Sequence, residues 1–192
     1  MPRAEQVLQS LLAGNKRFIE ARATHPHQSP ERRAEIARGQ HPLAVILGCS
    51  DSRVPPEIVF DQGLGDLFVV RTPGNLVDDA LVGGLEYAAG HLGVVLILVL
   101  GHSRCAAVEA ALHPPDGGTS LASLLGAIRP AVERVRGLPG DPLENAVRAH
   151  IEAVVARLRA SRPGLTDLWK EGRLAILGGR YDLDTGEVEI IA

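Results

Sequence analysis

Two short stretches carry the side chains able to do chemistry. The first is Gly48-Cys-Ser-Asp-Ser-Arg53, where Cys49, Asp51 and Arg53 fall at alternate positions. The second is Gly101-His-Ser-Arg-Cys105, which offers His102 and Cys105. Thiolate, imidazole and carboxylate are the groups zinc takes, usually four in a tetrahedron. Cys49 and Cys105 are the only two cysteines of the chain. Cys49, Asp51, His102 and Cys105 therefore form the candidate metal set. Other readings stand beside it. Both cysteines can be ordinary buried core residues, because H-x-x-C is a short and common pattern. A disulfide is the weaker alternative, since no secretory signal is visible and intracellular thiols stay reduced. Taken alone, Asp51 reads equally well as a turn residue, and Arg53 as half of a surface ion pair.

Each stretch follows a run that a strand would use. Leu43 to Leu47 is five apolar residues and Val94 to Leu100 is seven, and glycine closes each run. Such runs suit strands buried on both faces of a parallel sheet. In open α/β sheets ligands bind beyond the carboxyl ends of strands. The two runs would thus deliver the candidate ligands to one crevice. Asp51 or Ser52 is expected to cap the turn that enters Pro55-Pro56. Ser103 is expected to cap the next helix, placing Cys105 in its first turn, where the dipole favours a thiolate.

Further strands are expected at Leu67–Val70, buried like the first, and at Leu174–Leu177. An Asp184-Thr-Gly186 turn predicts a hairpin into Val188–Ile191. Helical spacing is expected over residues 4–22, 31–38, 78–91, 121–135, 142–161 and 164–171. Gly83-Gly84 is expected to permit close packing of its helix. The segment from His113 to Gly118 reads as a loop. The fold class is α/β: a central, mostly parallel β-sheet flanked by helices, with an antiparallel edge strand at the C-terminus. The length of 192 residues fits one domain, with residues 1–40 as an N-terminal helical arm.

Composition removes other classes. The net charge is −3 and no basic run is present, so no nucleic-acid partner is expected. No apolar run reaches the roughly 18 residues of a membrane span, so no membrane partner is expected and cytoplasm is the expected location. Aromatic residues make up only 3%, which leaves an aliphatic core and little to stack on bases.

The pairing of Cys-Ser-Asp-Ser-Arg at 49–53 with Gly-His-Ser-x-Cys at 101–105 resembles the β-class carbonic anhydrases. Phe60-Asp-Gln-Gly-Leu-Gly-Asp-Leu-Phe-Val-Val-Arg71, the Gly74-Asn75 pair and Tyr181-Asp-Leu-Asp-Thr-Gly186 resemble bacterial members. The resemblance implies one zinc per chain held by Cys49, His102 and Cys105, with Asp51 and Arg53 as a functional dyad. It implies reversible hydration of carbon dioxide, with carbon dioxide and bicarbonate as the small-molecule partners. It also implies a homodimer or homotetramer, with the first helix reaching a second subunit rather than lying only on its own sheet.

Asp51 has two options at such a site. It can take the fourth zinc position and close it, or pair with Arg53 through a planar two-point contact and leave room for water. Three departures from the family pattern stand out. Ala106 follows Cys105 where many members have glycine. Arg71-Thr-Pro-Gly-Asn75 stands where many have Arg-Asn-Ala. Ile46 replaces a tryptophan that some bacterial members use in an inhibitory bicarbonate pocket. Gln62 lies beside the position of a pocket glutamine in plant-like members, and its role is not carried over. Hydrolysis of carbon disulfide or carbonyl sulfide on the same scaffold is the enzymatic alternative. A non-catalytic zinc protein with all four ligands bound is the other, and Arg53 speaks against it by competing for Asp51.

Overall fold

The computed structural model describes residues 4–114, 121–161 and 163–192. Most of the loop expected at 113–118 lies outside them. Five strands form one sheet: β1 (Ala44–Cys49), β2 (Leu67–Thr72), β3 (Leu96–His102), β4 (Ala175–Tyr181) and β5 (Val188–Ile190). Their order is β2-β1-β3-β4-β5. All neighbours are parallel except β4 and β5, which pair antiparallel as the hairpin turn predicts. The helices are α1 (Ala4–Ile19), α2 (Pro30–Ile36), α3 (Pro56–Val59), α4 (Asp79–Gly90), α5 (Ala106–Leu112), α6 (Ala122–Arg134), α7 (Pro142–Arg159) and α8 (Pro163–Lys170).

Every residue of β1 and β3 is buried. Successive side chains of a strand point to opposite faces, and the core divides accordingly. Val45, Leu47, Cys49, Ile97 and Val99 share a layer with residues of α4 to α8. Ala44, Ile46, Leu96, Leu98 and Leu100 share the other with Val7, Leu11, Val59, Phe60 and Tyr181. Helices on both faces are what make the strand sequences apolar throughout rather than alternating.

Three expectations fail. β2 is only partly buried along its length, because it is an edge strand with β1 as its one neighbour. Its apolar sequence alone does not distinguish an edge from a centre. Gly83 and Gly84 do not serve close packing, since a Cβ at either would meet nothing within 4 Å. Neither Ser52 nor Asp51 caps α3, whose N-cap is Pro55.

The arm is tied to its own chain. Val7 and Leu11 are buried in the layer below the sheet. Gly14 lies so close to the main chain at Phe60 that a Cβ would overlap the Phe60 carbonyl. The buried Asn15 donates to the carbonyls of Val59 (3.1 Å) and Gly186 (2.8 Å) and accepts from Val188 N–H (3.0 Å). Arg17 Nε meets the buried Asp61 carboxylate at 2.6 Å. This own-sheet packing buries Val7 and Leu11 and leaves Ile19 exposed.

On the opposite face, Ile151 of α7 seats on two glycines. A Cβ at Gly101 would come 2.5 Å from Ile151 Cδ1, and one at Gly178 would come 2.7 Å from Ile151 Cγ2. The lack of a side chain at Gly101 of β3 and Gly178 of β4 thus lets α7 approach at the point where β3 delivers His102.

Candidate metal centre

Cys49 ends β1 and His102 ends β3. The two strands are adjacent and parallel, with Gly48 opposite Leu100, so their last residues emerge side by side. Cys105 follows three residues later as the N-cap residue of α5. Ser103 is not the cap; its Oγ accepts from Leu183 N–H at 3.0 Å, pinning the turn to the chain after β4. The Sγ atoms of Cys49 and Cys105 and one ring nitrogen of His102 lie within 4.8 Å of one another, and all three residues are buried.

The donor set fits a soft divalent metal. His102 Nδ1 lies 2.9 Å from the Ser103 carbonyl oxygen. A carbonyl only accepts, so Nδ1 carries the proton and Nε2 presents a lone pair. Nε2 is buried with no hydrogen-bond partner. An orphaned lone pair costs free energy in a dry interior; beside two thiols it is placed for a cation. The two thiols act on each other. The hydrogen bond from Cys105 is the largest influence on Cys49 and lowers its pKa, against burial and with help from the N–H groups of Asp51 and Gly74. Cys105 is pushed up by the same bond and by its burial.

Asp51 stands beside this trio rather than within it. Its Oδ1 accepts from Arg53 N–H (3.0 Å) and Nε (2.9 Å), and its Oδ2 from Arg53 Nη2 (2.7 Å). These bonds from Arg53 hold its carboxyl well below the usual carboxylate range, overcoming burial. Asp51 Oδ2 is still only 3.7 Å from His102 Nε2. Of the four residues the sequence nominates as ligands, the structure groups three, and it shows Asp51 in the Arg53-paired arrangement.

Several residues around the trio escape a reading of the sequence by itself. Arg71, at the end of β2, donates from Nε to the Cys49 carbonyl (2.8 Å) and from Nη2 to the Asp51 carbonyl. It thereby fixes both ends of the ligand turn. The 3₁₀ turn Pro73–Asn75 lies across the strand ends. The Asn75 amide donates to the carbonyls of Leu47 (2.9 Å) and Leu100 (2.7 Å), bridging β1 and β3. Gly74 N–H points at Cys49 Sγ, 3.4 Å away. The buried His150 of α7 contacts the Gly74 carbonyl through Nε2 at 2.6 Å; burial lowers its pKa against the pull of that bond. The one signal for His150 in the sequence is a polar ring within the apolar stripe of a helix.

Residues 44–188 match the family model described as carbonic anhydrase. The chain belongs to the β-class carbonic anhydrases. The reversible hydration of carbon dioxide, and a need for zinc, come with that membership. Among relatives, carbonic anhydrase 2 of Mycobacterium tuberculosis is 45% identical over 186 residues, covering 92% of this chain and 87% of that one. The carbonic anhydrase of Mycolicibacterium smegmatis is 41% identical over 199 residues, covering 99% and 95%. Among solved structures, a tetrameric β-carbonic anhydrase of Sordaria macrospora superposes with a TM-score of 0.78 at 26% identity, covering 96% of each chain. The Coccomyxa β-carbonic anhydrase, solved in complex with acetazolamide, gives a TM-score of 0.75 at 30% identity, covering 96% of this chain and 86% of that one. The match to the carbonic anhydrase model begins at the first residue of β1 and ends at the first residue of β5, so it takes in the four parallel strands and every residue of the trio.

Proposed function

We propose that Cys49, His102 and Cys105 hold the zinc of this carbonic anhydrase, and that Asp51 and Arg53 act as a switchable dyad beside it. The observation that carries the proposal is the two-point hold of Arg53 on Asp51 next to the unpartnered His102 Nε2. Zinc bound by three protein ligands supplies a Lewis acid that acidifies water in its remaining position.

The residues divide the remaining work. Arg53 occupies Asp51 through a planar fork, so that the carboxylate does not compete for the metal. Asp51, an acceptor only when ionised, can take a hydrogen bond from the attacking oxygen and fix its direction toward carbon dioxide. Its position 3.7 Å from His102 Nε2 supports that role. Arg71 holds the backbone of the ligand turn so that Cys49 and Asp51 keep their separation.

The test is stopped-flow hydration of carbon dioxide with metal analysis on wild type and Arg53→Ala. The variant is expected to keep its zinc and lose most activity, by roughly 100-fold or more, the scale of a positioned acid–base group. Unchanged activity would remove the dyad from the mechanism, and joint loss of zinc and fold would make Arg53 a structural residue.

We further propose that the chain works as a single domain within a homodimer or homotetramer. The half-buried β2 edge and the tetrameric Sordaria relative support assembly. No helix among the described residues is long and apolar enough to cross a membrane. Both cysteines are free, which agrees with a reducing cytoplasm as the working compartment.

A further inference from the structure

We infer that His150 is a positioning residue for the metal centre, acting through the Gly74 main chain on the sulfur of Cys49. The inference rests on the reading of Cys49 as a metal ligand. His150 itself touches neither ligand nor substrate. Its Nε2 lies 2.6 Å from the Gly74 carbonyl, and since a carbonyl accepts, Nε2 carries the proton. On the other side of the same residue, Gly74 N–H faces Cys49 Sγ at 3.4 Å. One glycine therefore links a buried helix residue to a metal-binding sulfur.

This link has something to hold. Gly74 has φ 63° and ψ 28°, and Asn75 follows with φ 56°. Gly and Asn are the residues that tolerate the left-handed region best, but for Asn75 it still lies above the ordinary negative-φ conformation. Rotating the Gly74–Asn75 peptide about its own axis would return Asn75 to negative φ, which any L residue adopts easily. Such a rotation would turn the Gly74 carbonyl away from His150; the Gly74 N–H lies in the preceding peptide and would loosen on Cys49 as the whole turn resettles. Packing leaves Gly74 little freedom to relax otherwise: a Cβ there would come 3.0 Å from Ile128 Cδ1 and 3.1 Å from Ala107 Cβ. Without His150 the carbonyl would be buried and unpaired, which costs more than the bond contributes when made. The chain would seek a partner for it by moving the turn.

The consequence falls on the metal. Groups that hydrogen-bond to ligands orient them, and their removal typically weakens metal binding by roughly 10- to 100-fold. An N–H bonded to a thiolate also withdraws electron density from the sulfur, which lowers the energy of its donor orbital.

Three variants of the full chain, His150→Leu, His150→Met and His150→Gln, test the inference after cobalt substitution and by zinc competition against a chelator. The Gln side-chain amide reaches about as far as Nε2 and donates a hydrogen bond; Leu and Met do not. Met, flexible and similar in length, serves if Leu fails to fold. The apolar variants are expected to bind zinc roughly 10- to 100-fold more weakly. Their thiolate-to-cobalt absorption should move to longer wavelength, while His150→Gln stays close to wild type in both readouts. Wild-type affinity and absorption in the apolar variants would overturn the inference, as would His150→Gln falling with them, because His150 would then only fill space. If wild type itself shows no thiolate-to-cobalt absorption, it is the assignment of Cys49 as a ligand that fails.

Discussion

His102 is set up for the proposed ligand role before any metal arrives. The Ser103 carbonyl claims the Nδ1 proton, so Nε2 has only a lone pair to offer, in a buried site between two sulfurs. The three donors are held by three different devices: the end of β1, the end of β3 and the cap of α5. None compensates for another. Cys49→Ser, His102→Ala and Cys105→Ser are each expected to lose most bound zinc, measured as metal per chain after dialysis. The sheet should survive, since its strands do not depend on these side chains. Stoichiometric zinc in any two of the three would sink the ligand assignment.

At the scale of elements, glycines set how closely helices approach, and they differ sharply. Gly14 of α1 abuts a main-chain carbonyl that cannot swing aside, whereas Gly83 of α4 faces open space. The same substitution should therefore act in opposite directions. Gly14→Ala is expected to push α1 off Phe60 and destabilise the fold by about 1–3 kcal/mol, the usual range for overpacking. Gly83→Ala adds a methyl that meets nothing and removes chain entropy from the unfolded state, so it should stabilise by about 0.5–1 kcal/mol. Urea unfolding of both variants checks the pair. Equal and small effects would mean that α1 is not seated on the body as described.

Over the whole molecule, ionised carboxylates tie the peripheral segments to the sheet. Burial works to raise Asp61, but bonds from Thr24 N–H, Arg17 and His25 N–H outweigh it and hold the group well below the carboxylate range. Asp182, bonded first by Thr185 N–H, then by Asp184 N–H and Arg180, is lowered to about 2. Folded values below the unfolded value of about 3.9 mean that these groups contribute in full above it. The contribution is lost as pH falls through the folded value. The urea midpoint of wild type should thus be level above about pH 5 and decline from about pH 4 toward pH 2. Asp61→Asn should lie below wild type at neutral pH and converge with it in acid. Zinc release in acid is common to both curves, so their difference isolates Asp61. Parallel curves would show that Asp61 does not carry the acid sensitivity.

The donors of the candidate metal site, the α/β class and the closing hairpin were legible in the chain because each depends on local chemistry. Long apolar runs need two covered faces, a glycine ends them, and Cys49, His102 and Cys105 follow at fixed offsets. The readings that failed concern what lies across space. Leu67–Val70 resembles Leu43–Leu47 in composition, yet only the sheet order makes one an edge and the other a centre. Ser103 looks like a helix cap, but the chain after β4 passes close enough to take its hydroxyl. How α1 seats on its own chain, with Gly14 against Phe60, is likewise not written in its apolar spacing. Arg71, Asn75 and His150 act on backbone carbonyls brought to them by other elements. Every residue carries such a carbonyl, so no side-chain pattern marks which one will be used; the approach of α7 and β2 to the ends of β1 and β3 decides it.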